Sequence, residues 1–276
     1  MAGHNYNKWM VMAVSWAVGL ALAGLPVARA GIIYQDNFNR SGDLNGSAPA
    51  PTNSGGATWT SVAGEFTTST TNGGEAIVSS SPGAGISNNG SAYLPISLAG
   101  NTTYTLTATL APDTSSNWLA LGFGGTSTGN ANSSSTMAWL LYDYSTTGSG
   151  GSIQTFYGGG TDNGRGYTPL SGDQPDTFTV SVNAATGQVD FTDSLGVITT
   201  QSFPSALSST QISSISSVLI GQNTGGGTFQ NFELSASTVP EPGTGAMLLA
   251  GLAAVLFLLK RPRRLGRQPA RTIPQL

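Results

Sequence analysis

The segment Phe178-Thr-Val-Ser-Val182 alternates apolar and hydroxyl side chains, and two further segments follow it, Val189-Asp-Phe191 and Val197-Ile-Thr-Thr-Gln-Ser-Phe203. Alternation with a period of two is the pattern of a half-buried β-strand. The connections at 183–188 and 193–196 contain Asn, Asp and Gly, which favour tight turns. This region therefore predicts a meander of three strands.

Further strands are predicted outside the meander. Tyr104-Thr-Leu-Thr-Ala-Thr-Leu110 alternates in the same way, whereas residues 118–123 and 137–142 are more continuously apolar and are expected to form central strands. Residues 218–221 and 229–235 complete the set. No apolar pattern of period 3.6 is present between Gly31 and Thr238. Strands at this spacing with Gly-rich turns predict an all-β, antiparallel sandwich.

Three segments of this region resemble the concanavalin A-like lectin/glucanase jelly roll. They are Tyr34-Gln-Asp-Asn-Phe-Asn39 near the start, the segment containing Trp59, and Asn101-Thr-Thr-Tyr-Thr-Leu106. The resemblance implies a jelly-roll sandwich in which residues 34–39 lie beside the closing strand, Phe229-Gln-Asn-Phe-Glu-Leu234.

The N-terminus has the three parts of a secretory signal peptide. His4 and Lys8 precede an apolar run over residues 9–25, and the small residues Ala28 and Ala30 follow at the −3 and −1 positions of a cleavage site. The alternative is a permanent N-terminal anchor helix. The cleavage site favours a signal helix over residues 1–30, removed before Gly31.

The C-terminal segment, residues 239–276, begins with Val239-Pro240-Glu241-Pro242-Gly243. A single transmembrane helix is predicted over residues 244–259. Counted from Gly243, the segment spans about 25 Å as a helix, which is short against a hydrocarbon core of about 30 Å. The basic tail at 260–276 stops it in the membrane and holds that end in the cytoplasm by the positive-inside rule; the stop residues are Lys260, Arg261, Arg263 and Arg264.

Three other interpretations of this segment are weaker. A buried core helix does not fit a segment that is apolar on all sides and followed at once by basic residues. A glycolipid-anchor signal ends in its apolar tail, without a basic cluster. A plain membrane anchor leaves the Pro-Glu-Pro tripeptide unexplained.

The order of Val239-Pro240-Glu241-Pro242, apolar helix and Arg-rich end resembles the PEP-CTERM sorting domain of Gram-negative bacteria. The resemblance implies cleavage near the tripeptide by an exosortase, a membrane-embedded cysteine transpeptidase-like enzyme. The product is then released or transferred to the outer surface, often among exopolysaccharide. The prolines fix φ and keep the motif extended. The tail after residue 264 is longer than usual for this family.

Charge and composition exclude several functions for residues 31–238. This region has two basic and twelve acidic residues, a net charge of −10, so it repels phosphate backbones and predicts no nucleic-acid binding. The chain has no cysteine, and its single histidine lies at position 4. Disulfides, cysteine nucleophiles, Ser-His-Asp triads and imidazole metal sites are therefore excluded from the mature domain.

Carboxylates placed for glycoside hydrolysis are not evident either. A retaining pair must lie about 5–5.5 Å apart. Asp190 and Asp193 are offset by three, so their side chains point to opposite faces of a strand, and Asp193 is expected to cap the following turn. Glu65 and Glu75 are ten residues apart. No catalytic residue is predicted.

Two kinds of ligand site are open to this composition. No cofactor is predicted, although Asp162-Asn163-Gly164 and Asp173-Gln-Pro-Asp176 are candidate calcium loops that match no known repeat. Sugar binding is the stronger alternative, because aromatic rings can stack on sugars. The candidate contacts are Trp139, Tyr142, Tyr144 and Tyr157, with Phe156 nearby; Trp139 and Leu141 should share one face of a strand, with Leu140 and Tyr142 on the other.

The sequence thus predicts an all-β, antiparallel jelly-roll sandwich over residues 31–238, flanked by a signal helix and a single transmembrane helix. The predicted function is that of a non-enzymatic exported surface or extracellular-matrix protein, transiently anchored in the inner membrane. Its expected partners are the membrane and an exosortase-type protease. The alternatives are an exopolysaccharide-binding, lectin-like module and, less favoured, a glycoside hydrolase.

Overall fold

The computed structural model describes residues 30–78, 89–112, 118–126, 135–143, 152–159, 166–169, 175–198, 201–202, 206–223 and 226–238, together with position 251. All but the last lie in one compact unit, Ala28–Val239. The predicted terminal helices fall outside the described residues, apart from Ala30 and Gly251. Within the described part of the chain, no helix combines the length and apolarity needed to cross a membrane.

The described residues form sixteen strands and one α-helix. The strands are β1 (Gly31–Asp36), β2 (Gly42–Asp43), β3 (Pro51–Asn53), β4 (Phe66–Ser69), β5 (Glu75–Val78), β6 (Asn89–Pro95), β7 (Thr102–Pro112), β8 (Trp118–Gly124), β9 (Thr136–Asp143), β10 (Ser152–Tyr157), β11 (Gly166–Pro169), β12 (Asp176–Asn183), β13 (Val189–Asp193), β14 (Gln201–Ser202), β15 (Ser217–Asn223) and β16 (Gly227–Thr238). The helix, α1, spans Ser209–Ser214.

These strands pair antiparallel in two sheets. The ten-stranded sheet has the order β14-β13-β12-β7-β16-β5-β4-β2, with β1 also on β16 and β3 on β1. The six-stranded sheet has the order β11-β10-β9-β8-β15-β6. The chain passes between the sheets several times, and β1 lies beside β16 with Tyr34 opposite Leu234. The predicted antiparallel jelly-roll sandwich, and the pairing of its first and last strands, are confirmed.

The main core lies between the two sheets. Alternate residues of β7 and β12 are buried and half-buried, as their sequence alternation predicts. Strands β8 and β9 are buried along almost their whole length, in agreement with their continuously apolar sequence. The largest fully buried side chains between the sheets include Trp59, Tyr142, Phe66, Phe178, Phe191, Phe229 and Phe232.

The meander is confirmed, but its third strand does not begin at Val197 as predicted. Among the described residues of this segment, Gln201 and Ser202 pair with β13. The carboxylate of Asp193 accepts hydrogen bonds from the backbone N–H groups of Val197 (2.9 Å) and Ile198. Those donors are therefore unavailable to a sheet. Asp193 caps this turn as the sequence predicts.

Helix α1 has no counterpart in the sequence prediction. It is too short to show an apolar period, and none of its residues is buried. A capping box holds its first turn, because Ser208 Oγ accepts from the Gln211 N–H and Gln211 Oε1 accepts from the Ser208 N–H. Polar local hydrogen bonds, rather than burial, thus specify this turn of helix.

The outer face of the ten-stranded sheet carries cross-strand threonine pairs. Thr107 and Thr179 have their hydroxyl oxygens 3.2 Å apart, and those of Thr109 and Thr177 are 2.8 Å apart. The alternation in β7 and β12 places these residues on the half-buried, outward side. Each pair hydrogen-bonds across the strands, which supports their register.

A buried carboxylate fixes the start of the sandwich. Asp36, at the end of β1, is fully buried and accepts two hydrogen bonds from the guanidinium of Arg40, at 2.7 and 2.8 Å. It also accepts from Trp59 Nε1 (2.7 Å) and from the backbone N–H of Phe38 (2.8 Å). Trp59 in turn packs edge-on against Phe232 of β16, with ring centroids 5.0 Å apart. A charge taken out of water is stable only with partners of this kind.

Replacing this carboxylate should destabilise the whole domain. Asp36→Asn removes the charge and leaves the partly buried guanidinium unneutralised, so the free energy of unfolding should fall by about 3 kcal/mol. Equilibrium denaturation monitored by tryptophan fluorescence measures the loss. The matched control, Glu233→Gln on the half-buried outer side of β16, should change stability by less than about 0.5 kcal/mol. An equally small effect at Asp36 would contradict its structural role.

Candidate functional site

The structure separates the predicted sugar-binding residues between the two faces of the six-stranded sheet. Leu140 and Tyr142 of β9 face the main core, while Trp139 and Leu141 face the other way, as the sequence predicts. Tyr142 is fully buried and packs edge-on against Phe178 at 5.2 Å, so its ring is inaccessible to a sugar. The prediction for Tyr142 is wrong because this is the face that closes the sandwich.

Of the other two candidates, the structure describes Tyr157 alone. Tyr157 is partly buried and packs against the main core. Tyr144 lies outside the described residues.

A second apolar cluster covers the side of the six-stranded sheet turned away from the main core. This outer-face cluster consists of Ala120, Trp139, Leu141, Phe156 and Leu219, with Tyr93 and Trp118 partly buried at its border. The rings of Trp139 and Phe156 stack at 4.3 Å with an interplanar angle of 15°, and Trp118 lies 6.4 Å from Trp139. Trp139 is fully buried, so the accessible rings are those of Tyr93 and Trp118. Sequence reasoning named neither, although Trp118 begins a predicted strand.

The centre of this face is built from small residues. Gly122 lies opposite Trp139 in the neighbouring strand, and Ala120 lies opposite Gly221. A Cβ at position 122 would lie 2.4 Å from the Cβ of Trp139 and 2.6 Å from a backbone oxygen. Glycine is therefore required here for Trp139 to pack against β8.

Unused hydrogen-bonding capacity remains at this face. The indole Nε1 of Trp139 is buried and finds no acceptor in the described part of the chain. Asp143, opposite Trp118 in the ladder, is half-buried. Its burial raises the pKa of the carboxyl above its ordinary value. The indole N–H is too deeply buried to reach a ligand, whereas a half-buried carboxyl beside aromatic rings can orient a hydroxylated one.

The carboxylates considered for catalysis do not form a pair. Glu65 is buried beside Gln222, whose Nε2 donates to Oε1 at 3.1 Å, while Oε2 has no partner among the described residues. Glu75 begins β5, where it lies opposite Ser69, and Gln230 Nε2 is 3.5 Å from its carboxylate. Glu65 packs so closely on Gly90 that a Cβ there would lie 1.2 Å from Oε1. The contact with Gly90 leaves no room for a reacting group on that side of the Glu65 carboxylate.

Of the two candidate calcium loops, the structure describes only Pro175 and Asp176. Asp176 is buried, and its Oδ1 accepts from the backbone N–H and the hydroxyl of Ser194. Within the described ranges, no group of three or more His, Cys, Asp or Glu residues could hold a metal ion.

A cleft of about 640 Å³ lies beside α1. Ile96, Leu98, Ala184 and Leu207 line it together with Ile212 and Ile215 and with serine and threonine hydroxyls. None of its lining residues is charged, so it offers no group for acid–base chemistry.

The C-terminal end of the domain leads directly into the predicted sorting segment. Strand β16 ends at Thr238, and residues 238–264 match the family model of the PEP-CTERM protein-sorting motif. The chain carries a PEP-CTERM sorting motif. Its match covers Val239-Pro240-Glu241-Pro242 and the basic residues Lys260, Arg261, Arg263 and Arg264, which confirms the resemblance to the PEP-CTERM sorting domain. No curated protein sequence matches this chain.

Solved structures similar to this chain include lectins and a carbohydrate-binding module, and also endo-acting O-glycanases of the human gut microbiota. The CBM2 module of the evolved Dit protein of Lactobacillus casei BL23 phage J-1 has a TM-score of 0.48 at 12% identity, covering 78% of this chain and all of that one. Lectin I from Ulex europaeus, in complex with the methyl glycoside of α-L-fucose, has a TM-score of 0.47 at 10% identity, covering 76% and 98%. The metal-free Emp46p carbohydrate recognition domain has 0.44 at 13%, covering 72% and 96%.

The buried Glu65 predicts a pH dependence of stability. Desolvation raises its pKa, against weaker opposing hydrogen bonds from Gln222 and Val62. Because the folded state binds this proton more tightly than the unfolded state, stability is greatest below the ordinary pKa and falls as the pH rises through the raised one. Glu65→Gln removes this loss, so the variant should gain stability relative to the parent as the pH rises from acid to neutral. Denaturation midpoints of both proteins across this range test the prediction; a constant difference would contradict it.

Proposed function

We propose that this protein is a non-enzymatic, exported surface or extracellular-matrix protein, sorted by exosortase-type processing at its Pro-Glu-Pro motif. The observation that carries the proposal is the PEP-CTERM match at residues 238–264, placed immediately after the last strand of the sandwich. The motif directs sorting, and the sandwich is the domain that is exported.

The flanking sequence supports the same route. The predicted signal segment exports the domain, and the predicted apolar helix then holds the chain at the inner membrane until it is cut. The helix is short for a permanent anchor, which suits a transient one. The cysteine-free domain needs no oxidation to fold outside the cytoplasm.

The non-enzymatic part of the proposal is supported by the chemistry of the domain. Between residues 31 and 238 the chain has no histidine or cysteine. Among the described residues, its buried carboxylates Asp36, Glu65, Glu75 and Asp176 each face separate structural partners: Arg40, Gln222, Gln230 and Ser194. Groups so placed cannot share one reacting bond, as glycoside hydrolysis requires.

Replacing the tripeptide tests the sorting proposal. Substituting Pro240, Glu241 and Pro242 by Ala should leave a longer, membrane-retained product in cells that contain an exosortase. Cell fractionation and mass spectrometry of both termini measure this outcome. Substituting Pro269, beyond the matched motif, by Ala is the matched control and should leave maturation unchanged. Normal maturation of the triple variant would overturn the proposal.

A second candidate function is binding of a carbohydrate such as exopolysaccharide at the outer-face cluster. The specific observation in its favour is Trp118, partly exposed and packed on the stacked rings of Trp139 and Phe156, beside the half-buried Asp143. A rigidly supported ring can stack on a sugar face, and the carboxyl can accept hydrogen bonds from its hydroxyls. The acidic domain favours a neutral rather than an anionic polysaccharide.

Substitution of the exposed ring tests this second function. Trp118→Ala in the mature protein should weaken binding to a neutral polysaccharide roughly tenfold, because loss of one aromatic contact costs about 1–2 kcal/mol. A glycan array identifies the ligand, and titration calorimetry measures the change. Leu195→Ala, at an exposed apolar side chain in a turn of the ten-stranded sheet, is the matched control. Absence of binding by the parent, with and without calcium, would rule the function out.

A further inference from the structure

The sorting motif begins at the very end of the folded domain. Strand β16 ends at Thr238, and the match to the motif starts at the same residue. Only Val239 separates the last paired residue from Pro240. The domain is therefore joined to the Pro-Glu-Pro tripeptide without a linker.

The end of β16 is held from one side only. Residues 232–236 pair with β1, and this pairing ends where Gly31 lies opposite Ala236. Ser237 and Thr238 pair with Thr103 and Thr102 of β7. Within the described sheet, Ser237 and Thr238 therefore have one neighbouring strand, β7.

The chemistry of the motif directs its recognition toward this strand end. Peptidases that bind an extended substrate form backbone hydrogen bonds with it, as in the addition of a strand to a sheet. Pro240 and Pro242 have no N–H group to donate. The nearest backbone N–H donors on the N-terminal side of the tripeptide are therefore those of Val239 and the residues before it, and Ser237 and Thr238 are paired to β7.

We propose that Ser237 and Thr238 are part of the peptide that the sorting enzyme binds, and that they must separate from β7 before the chain is cut. The inference rests on the proposed function, since it assumes a membrane peptidase that acts at the Pro-Glu-Pro motif. It adds to that function a short segment of the folded domain that belongs to the substrate.

The structure limits how far this opening extends. Ser237 is half-buried and Thr238 is exposed, so separating them uncovers little apolar surface. Ala236 packs against the main core and is paired on both sides. Opening of the strand therefore stops at Ala236, and the core stays closed while the end of the strand is bound.

A disulfide across the last pairs tests the inference. The chain has no cysteine, so Thr103→Cys with Ser237→Cys in the full-length protein gives one defined cross-link between β7 and β16. The matched control is Thr109→Cys with Thr177→Cys, which joins β7 to β12 at a pair whose hydroxyl oxygens are 2.8 Å apart. Non-reducing gels confirm both bonds. Pulse-chase analysis in cells with an exosortase measures the loss of the C-terminal segment.

The cross-link at residue 237 should slow processing about tenfold or more, because the bound conformation becomes rare. The control cross-link and the single Ser237→Cys variant should be processed at the parental rate. A short Gly/Ser linker inserted after Thr238 should restore processing of the cross-linked protein, since the motif then reaches the enzyme without opening the strand.

Two results would overturn the inference: processing of the cross-linked protein at the parental rate, or equally slow processing after the linker is inserted. Both are distinct from failure of the proposed function. That failure appears as normal maturation of the variant lacking Pro-Glu-Pro, in protein without any cross-link.

Discussion

The packing of this domain depends on the buried carboxylate of Asp36. It ends β1, neutralises Arg40, one of two basic residues between positions 31 and 238, and receives the indole N–H of Trp59. Trp59 extends this network into the core, because its ring packs against Phe232 of β16. Strands β1, β5 and β7 all pair with β16. The contact of Trp59 with Phe232 therefore connects the Asp36–Arg40 ion pair to the centre of the ten-stranded sheet. Removing one partner of such a buried pair is costly because it leaves the other charge buried without compensation.

The two sheets give the domain two unlike outer surfaces. The ten-stranded sheet presents hydroxyl side chains that bond to one another across strands. The six-stranded sheet instead carries aromatic and aliphatic side chains around a centre of Gly122 and Ala120, with Trp118 partly exposed. Any ligand that stacks on rings is therefore directed to one side of the sandwich. The C-terminal motif determines where the protein is delivered, and the six-stranded sheet offers the more selective surface after delivery.

Local patterns predicted most of the long strands, because alternation and apolar runs directly record which side of a strand is buried. They also predicted that Trp139 and Tyr142 face opposite ways. They could not determine which face closes the sandwich, since that depends on Phe178, 36 positions further along the chain. The network of Asp36, Arg40 and Trp59 was missed for the same reason, although the scarcity of basic residues was a signal that Arg40 has a special partner. The third strand of the meander was predicted to begin too early, at Val197, because the carboxylate of Asp193 accepts hydrogen bonds from the backbone N–H groups of Val197 and Ile198.

The threonine pairs affect the hydration of the outer face of the ten-stranded sheet. Thr107 with Thr179, and Thr109 with Thr177, use part of their hydrogen-bonding capacity on each other. A face that is polar by composition therefore wets less readily than a count of its hydroxyl groups suggests. Such a face can approach another weakly hydrated surface with less water to displace.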